Sequence, residues 1–183
     1  MLFIGLEIGS ISLYALAGLN RGDKLSNEAS LKYFLLGSLA SCILIYGVSL
    51  VYVSFSVFSV YNFALGLAYV GPDSVPLTTS IGVLLIFIGL LFKIAAAPFQ
   101  SWAPDVYQGS PTGYVGFMSS IAKASSFIVI ARLCLVSINF IIEDFNIFFL
   151  IVIISSALIG SLFASIQEDL KRLLAYSGVV QSG

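Results

Sequence analysis

Residues 90–126, LLFKIAAAPFQSWAPDVYQGSPTGYVGFMSSIAKASS, place two lysines inside two apolar segments and a proline shortly after the first lysine. The first segment, residues 77–97, is long enough to cross a bilayer, since about 20 helical residues span the hydrocarbon core. Lys93 lies inside it, where a lysine costs about 2.5 to 3.5 kcal/mol unless a carboxylate, a carbonyl or water compensates the charge. The stretch therefore predicts a membrane helix that carries a polar site.

Pro98 follows Lys93 closely and predicts a break in this helix. A proline cannot donate to the carbonyl of Ile94 and clashes with it, so we expect the helix to break within Ala95 to Pro98. The freed carbonyls would then point at Lys93, at the partly negative end of a half-helix. The alternative is a kinked helix whose lysine extends to the membrane surface.

The composition indicates an all-α integral membrane protein, because 59% of the residues are hydrophobic and only 9% are charged. A net charge of −1 gives no reason to expect nucleic acid as a partner. The chain contains no histidine and no GxxxxGK[ST] motif, so we expect no metal site and no cofactor site in it. Cys42 and Cys134 lie far apart in apolar stretches and are expected to be buried free thiols.

The apolar runs predict a single membrane domain, residues 1–183, with five full spans and the start of a sixth. The full spans are expected at residues 1–19, 30–53, 77–107 with its break, 113–137 and 145–166. Ser26 or Asn27 is expected to cap the second helix. Residues 54–69 are predicted as a surface helix outside this count, residues 109–113 as a turn, and residues 143–144 as part of an acidic link. Residues 167–172 are predicted as a polar connection, and residues 173–183 as a helix too short to cross.

Basic residues in the connections predict the orientation of the helices. Arg21, Lys24, Lys171 and Arg172 follow the first and fifth helices, whereas the links after the second and fourth contain no lysine or arginine. Connections rich in these residues face the inside of the membrane. The N-terminus is therefore expected on the outside.

Other charges inside the predicted spans are candidate functional residues. Lys123 lies roughly 15 Å along its helix from Gly113, near the bilayer centre, and is expected to face a cavity among small and hydroxylic neighbours. Its alternative role is that of a structural ammonium bonded to carbonyls. Glu7 lies well inside the first span or, alternatively, is an interfacial carboxylate near the helix N-terminus. Lys32 is compatible with a channel role or with a surface anchor, and Arg132 fits an anchor better.

Several strings resemble subunit 2 of NADH:quinone oxidoreductase, respiratory complex I. The first is FKIAAAPFQSWAPDVYQGSPT at residues 92–112, followed by the lysine of SSIAKASSF at residues 119–127. The others, in the same order as in that family, are GLEIGSISLY at residues 5–14, KYFLLGSLAS at 32–41 and KRLLAYSGV at 171–179. Residues 54–76 match poorly. Related subunits of multi-subunit cation/proton antiporters share the lysine-bearing broken helix.

The resemblance implies an antiporter-like fold and a role in proton pumping. Two inverted bundles of five helices are implied, of which this chain contains most of the first and the start of the second. Glu7 is implied as the partner of Lys93, and Lys93, Lys123, Glu7 and Lys32 as a proton relay within a subunit of a proton-translocating NADH:quinone oxidoreductase. The alternatives are a subunit of a cation/proton antiporter and a scaffold fragment that no longer pumps. Gln100 and Gln181 replace usual histidines of the family and cannot relay by protonation, although Gln100 can order water.

The resemblance also implies cofactors and partners outside this chain. Flavin, iron-sulfur clusters and quinone are expected in other subunits. The expected partners are other membrane-arm subunits of complex I, lipids, and a second polypeptide that completes the subunit; the alternative to this second polypeptide is a truncated sequence. We expect the mitochondrial inner membrane, with a plastid or bacterial membrane as alternatives.

Overall fold

The computed structural model describes residues 1–71, 74–137 and 142–183, and the regular structure in these ranges is helical. The predicted all-α class is confirmed. A short π-helical segment, Met118–Ala122, lies between the helices Thr112–Phe117 and Lys123–Ser137. The α-helices of the described ranges are α1 (Leu2–Ala17), α2 (Lys24–Phe55), α3 (Val60–Val70), α4 (Leu77–Ile94), α5 (Trp102–Gly109), α6 (Thr112–Phe117), α7 (Lys123–Ser137), α8 (Ile142–Ile166) and α9 (Leu170–Ser182).

Four helical stretches of the described ranges are long and apolar enough to cross a membrane. They are Lys24–Phe55, Leu77–Ile94, Thr112–Leu135 and Phe145–Ile166. The sequence predicts five full spans, and the first of these corresponds to α1, which has 16 residues. At about 1.5 Å per residue α1 extends over about 24 Å, less than the usual hydrocarbon thickness. A full crossing by α1 is therefore not confirmed by its length.

Helix α2 begins earlier than predicted because Asp23 caps it, and not Ser26 or Asn27. The carboxylate of Asp23 accepts the N–H of the second helical residue at 3.0 Å, as N-cap aspartates do. Ser26 is buried inside α2 and donates to the carbonyl of Ala17 at 2.8 Å. This serine therefore connects α2 to the end of α1.

Other predicted boundaries also shift by a few residues. Asp169 accepts the N–H of Lys171 at 2.9 Å and starts α9 there, so the basic residues predicted in a connection lie in the first turn of a helix. Ser56 ends α2 in a left-handed conformation, and the helix predicted at residues 54–69 is shortened to α3. The backbone of α8 already begins at Ile142, within the predicted acidic link. Residue 109 of the predicted turn still belongs to α5, and α6 already begins at Thr112.

Helices α2 and α4 pack closely because glycines lie at their contact. A Cβ atom at Gly47 would lie 2.6 Å from the carbonyl oxygen of Gly82, and a Cβ at Gly89 would lie 2.7 Å from Cβ of Leu44. Small residues of this kind let membrane helices approach each other, so that dispersion contacts hold them together. The contact fixes the last turn of α4, which contains Lys93.

The buried indole of Trp102 attaches the start of α5 to both of these helices. Its ring stacks on Tyr33 of α2, with 4.7 Å between the ring centroids. Its Nε1 donates to the carbonyl of Phe92, near the end of α4, at 3.1 Å. A buried indole N–H needs such an acceptor. Trp102 thereby holds α5 against the end of α4.

Large apolar side chains cover the outer surface of the long helices. In water this distribution would be costly, at about 25 cal/mol for each Å² of apolar surface, whereas lipid tails or neighbouring membrane proteins match it. The surface therefore agrees with the membrane class that the composition predicts. Examples with more than half of the residue exposed are Leu39, Ile128, Ile151, Leu158 and Leu162.

Both cysteines are free thiols, as predicted. Cys42 is exposed on the surface of α2, and Cys134 on α7 is partly exposed. The prediction that both are buried is therefore wrong. An apolar sequence context predicted burial, but in a membrane helix the same context also occurs on an outward face.

We expect Gly47→Ala to destabilise the protein by about 1 to 3 kcal/mol, the usual range for overpacking. The new methyl group meets backbone atoms of α4, which cannot rotate away. The measurement is the thermal unfolding midpoint of the detergent-purified protein. Gly9→Ala is the matched control, because a Cβ at Gly9 meets no atom within 4 Å. Equal midpoints for the two variants would contradict the packing described for α2 and α4.

Candidate functional site

Lys93 and Glu7 form an ion pair between α4 and α1. The Nζ atom of Lys93 lies 2.8 Å from Oε1 of Glu7, and the two side chains are 10% and 22% exposed. Ser10 accepts a second hydrogen bond from Lys93 at 2.7 Å, and Ser41 donates to Glu7 at 2.8 Å. Glu7 and Ser10 are three residues apart and so lie on one face of α1. The lysine is thus compensated by a carboxylate and a hydroxyl inside the protein.

The end of α4 is a Schellman motif formed without glycine. Ala95 takes the left-handed conformation, with φ 58°. Its N–H donates to the carbonyl of Phe92, and the N–H of Ala96 donates to the carbonyl of Leu91, each at 3.0 Å, as this motif requires. An alanine in this conformation costs roughly 1 to 2 kcal/mol relative to glycine. The last carbonyls of α4 are therefore largely occupied by local backbone donors.

The expectation that freed carbonyls point at Lys93 is wrong. Lys93 donates to side chains of α1, whereas the carbonyl of Ile94 accepts from Ser182 of α9 at 2.9 Å. The reason is direction: Lys93 points from α4 toward α1, while the carbonyls at a helix end point along its axis. The snorkelling alternative for Lys93 also disagrees with this buried pair.

Residues 95–101 leave the α-helical conformation between α4 and α5, and Pro98 lies within them after a cis peptide bond. Two adjacent serines of α8 support this segment. Ser156 accepts the N–H of Ala97 at 3.0 Å, and Ser155 donates to the carbonyl of Ala97 at 3.3 Å. Residues 95–97 are fully buried, so their polar backbone groups need such partners. Sequence reasoning missed both serines, although paired serines in an apolar helix were a visible signal.

Lys123 is buried between α7 and α9, with 9% of the residue exposed. Its Nζ donates to the carbonyl of Gly178 at 3.0 Å and to the hydroxyl of Ser182 at 3.1 Å. Ser182 also contacts the carbonyl of Ile94 at 2.9 Å. A short hydrogen-bonded chain therefore connects Lys123 to the residue that follows Lys93. The contact between Lys123 and Ser182 was not predicted from the sequence. The serines close to Lys123 in sequence were expected to surround it, but they bond instead to carbonyls of their own helix.

A partly open cavity of about 700 Å³ lies beside Lys123. The sequence predicts such a cavity for this lysine, and Gln181 lines it too. Gln100, the other replacement of a usual histidine, has a buried Oε1 with no partner among the described residues. The remaining polar residues of the cavity wall include Thr112, Ser119, Ser120 and Ser177.

Lys32 belongs to a second cluster of charges, centred on Asp105 of α5. Asp105 binds Lys32 of α2 through one carboxylate oxygen at 2.7 Å and Arg172 of α9 through the other at 2.8 Å. Glu28 lies 2.7 Å from Lys32 as well. The side chains are between 34% and 58% exposed, so the cluster lies at the surface of the helical bundle. Asp105 was missed because it follows the predicted break and has no charged neighbour in sequence.

Arg132, predicted as an anchor, is exposed on α7. The orientation of the helices, like the roles of Arg132 and Lys32, stays a prediction. No group of three or more metal-ligating His, Cys, Asp or Glu side chains occurs among the described residues.

Buried lysines and a carboxylate in an all-helical membrane bundle are of the kind that marks ion and proton paths in membrane proteins. The family model described as NADH:quinone oxidoreductase/Mrp antiporter, TM, matches residues 1–183. The chain belongs to this family. The resemblance stated above is thus confirmed at the level of the family.

Relatives carry two subunit names. Subunit N of the NADH-quinone oxidoreductase of Trichlorobacter lovleyi is 43% identical over 182 residues, which are 100% of this chain and 37% of that protein. Subunit 2 of the NAD(P)H-quinone oxidoreductase of Trichodesmium erythraeum is 40% identical over 184 residues, 100% of this chain and 35% of that protein. Relatives of this chain are therefore named either subunit N or subunit 2, at similar identity.

A solved structure agrees with this assignment. The structure of respiratory complex I from Thermus thermophilus contains a chain that superimposes with a TM-score of 0.80 and is 37% identical, over 98% of this chain and 37% of that one. The chain spans somewhat more than a third of the length of the relatives named here. These relatives do not support the expected mitochondrial location, since the homologues are mostly bacterial.

We expect the Glu7–Lys93 pair to show strong coupling in a double-mutant cycle. Glu7→Gln and Lys93→Met should each destabilise by about 3 to 5 kcal/mol, because each leaves a buried charge without its partner. The double variant should cost much less than the sum. The measurement is the free energy of unfolding of the detergent-purified protein. Additive costs would show that the two charges are already solvated independently.

Proposed function

We propose that this chain is part of an antiporter-like, membrane-arm subunit of a proton-translocating NADH:quinone oxidoreductase. The observation that carries the proposal is the buried Glu7–Lys93 ion pair together with a second buried lysine, Lys123, which Ser182 bridges to the carbonyl of Ile94, the residue after Lys93. Relatives of this name at about 40% identity support it. A subunit of a cation/proton antiporter is the alternative within the same family. Co-purification with NADH oxidation activity separates the two.

In this proposal α4 and α5 are two halves of one discontinuous transmembrane segment, and α1 is a fifth span. Non-helical backbone inside a membrane is tolerated where protein covers it, and residues 95–97 are fully buried. Their N–H and carbonyl groups are bonded to α8 and to the end of α4. A short α1 is accommodated when the bilayer thins locally, at a modest cost.

Proton relay follows from the chemistry of the two lysines. Desolvation lowers the proton affinity of an amine, and a neighbouring carboxylate raises it. Separation of Glu7 from Lys93 therefore favours release of a proton from Lys93, and return of the carboxylate favours uptake. Lys123 then carries the proton on beside its cavity, which is roomy enough for water. No bond other than those to protons changes.

Energy for this relay comes from outside the chain. We propose that it binds no cofactor and that flavin, iron-sulfur clusters and quinone belong to other subunits of the complex. Other membrane-arm subunits and lipids then cover its apolar outer surface. Lys32, in the Asp105 cluster, is proposed as a relay residue at one end of the path, since water reaches it there. The membrane is that of a bacterium or an organelle, with the mitochondrial inner membrane retained as a prediction.

We expect Lys93→Met to lower the rate of proton pumping by the assembled complex at least about tenfold, since a positioned proton-transfer group typically contributes roughly 10²- to 10⁴-fold. Methionine nearly keeps the volume and removes the charge. The measurement is proton uptake into proteoliposomes per NADH oxidised, with assembly checked by native electrophoresis. Glu7→Gln should also lower pumping, because it cannot modulate the charge of Lys93.

Lys24→Met is the matched control for this experiment. It removes one lysine at the exposed first residue of α2, outside the candidate site. Pumping by this variant should equal that of the wild type. Full pumping by an assembled Lys93→Met complex would overturn the proposed relay.

A further inference from the structure

We propose that Ser182 couples the charge of Lys123 to the end of helix α4, as a positioning residue. The inference rests on the proton relay proposed above. Ser182 lies in the last turn of α9 and is 8% exposed. Its hydroxyl touches three groups on three helices: the ammonium of Lys123, the carbonyl of Ile94, and the carbonyl of Gly178 in its own helix.

The hydroxyl has one hydrogen and two carbonyls within reach. Oγ lies 2.9 Å from the carbonyl oxygen of Ile94 and 2.6 Å from that of Gly178. A serine hydroxyl donates one hydrogen bond and accepts up to two. While Lys123 is an ammonium, its Nζ has only hydrogens to offer, so Oγ accepts from it at 3.1 Å. Because the carbonyl of Gly178 already accepts from Lys123, the hydroxyl hydrogen turns to the carbonyl of Ile94.

Loss of the proton from Lys123 changes this arrangement. A neutral amine has a lone pair, which accepts a hydrogen bond more strongly than an amide carbonyl does. The hydroxyl hydrogen of Ser182 can then turn to Nζ, and the carbonyl of Ile94 loses its donor. No proton leaves the hydroxyl in this step; only its direction changes. The hydrogen bond at the end of α4 therefore follows the charge of Lys123.

Ile94 is the position where this change matters most. It is the last residue of α4, follows Lys93 directly and is 1% exposed. In a continuous helix its carbonyl would accept from residue 98, but Pro98 has no N–H to donate. The hydroxyl of Ser182 supplies the donor instead. Without it a buried carbonyl is left unpaired, which is unfavourable and favours movement of the end of α4.

Neighbouring serines lack this arrangement. Ser177 lines the same cavity, but its hydroxyl bonds to the carbonyl of Leu174 in its own helix.

The other titratable side chains that line this cavity, within the described part of the chain, are Tyr107 of α5 and Lys171 of α9. Lys171 donates to the carbonyl of Ser110 at 2.8 Å.

The experiment compares Ser182→Thr with Ser182→Val in the assembled complex, because the two side chains have the same shape and differ in the hydroxyl. The measurement is the pH dependence of proton pumping in proteoliposomes. Valine removes a hydrogen-bond partner of Lys123 and leaves the carbonyl of Ile94 without its donor. We expect the alkaline limb of the profile to be displaced by about one pH unit, since one hydrogen bond to a charged group is worth roughly tenfold in an equilibrium constant. Threonine should keep the wild-type limb.

Ser161→Ala is the matched control and should also keep the wild-type profile, because the hydroxyl of Ser161 is exposed on α8 and bonds to carbonyls of its own helix. Equal profiles for Ser182→Val and wild type would overturn the coupling. Equal displacement by threonine and valine would overturn it as well, because the effect would then come from shape. Lys123→Met tests the relay separately. Full pumping by that variant would contradict the proposed function itself. Lost pumping by Lys123→Met, together with an unshifted pH profile of Ser182→Val, would contradict only the role of Ser182.

Discussion

The structure depends on one constraint, which is that a charge or an unpaired backbone group inside a membrane protein must find its partner within the protein. Lys93 is the clearest case. It needs a carboxylate, which requires α1 beside α4, and the glycines between α2 and α4 allow the helices to approach closely enough. The same need places serines opposite the non-helical residues 95–97. Most contacts around the site thus provide a partner for a buried charge or for a buried backbone group.

Serine hydroxyls supply many of these hydrogen-bond partners. They are small enough for close helix packing and can both donate and accept. Ser10 supports Lys93, Ser41 supports Glu7, and Ser182 supports Lys123. Because a hydroxyl turns at little cost, such a site holds a charge without fixing the proton that it carries. This suits the relay proposed above better than a rigid set of carbonyl ligands would.

Sequence reasoning predicted the elements better than the contacts. The helical class and the two lysines within apolar helices follow from hydropathy and charge, which are local signals. The partner of Lys93 came from a family resemblance, since 86 residues separate it from Glu7. Ser182 and Asp105 were missed for the same reason, because their partners lie far away in sequence. The sequence offers several residues that can cap α2. Asp23 caps it, whereas Ser26 bonds to Ala17 of α1, and this contact is not visible in the sequence.

The π-helical segment at Met118–Ala122 has a geometric consequence for Lys123, which follows it directly. A π-turn contains one residue more than an α-turn, and one residue corresponds to about 100° of rotation about the helix axis. Every side chain of α7 is therefore turned by about this angle relative to a regular continuation of α6. An uninterrupted helix would aim position 123 at a different neighbour. The direction in which Lys123 points, and therefore whether it faces a polar cavity or lipid, depends on the one additional residue in the π-turn.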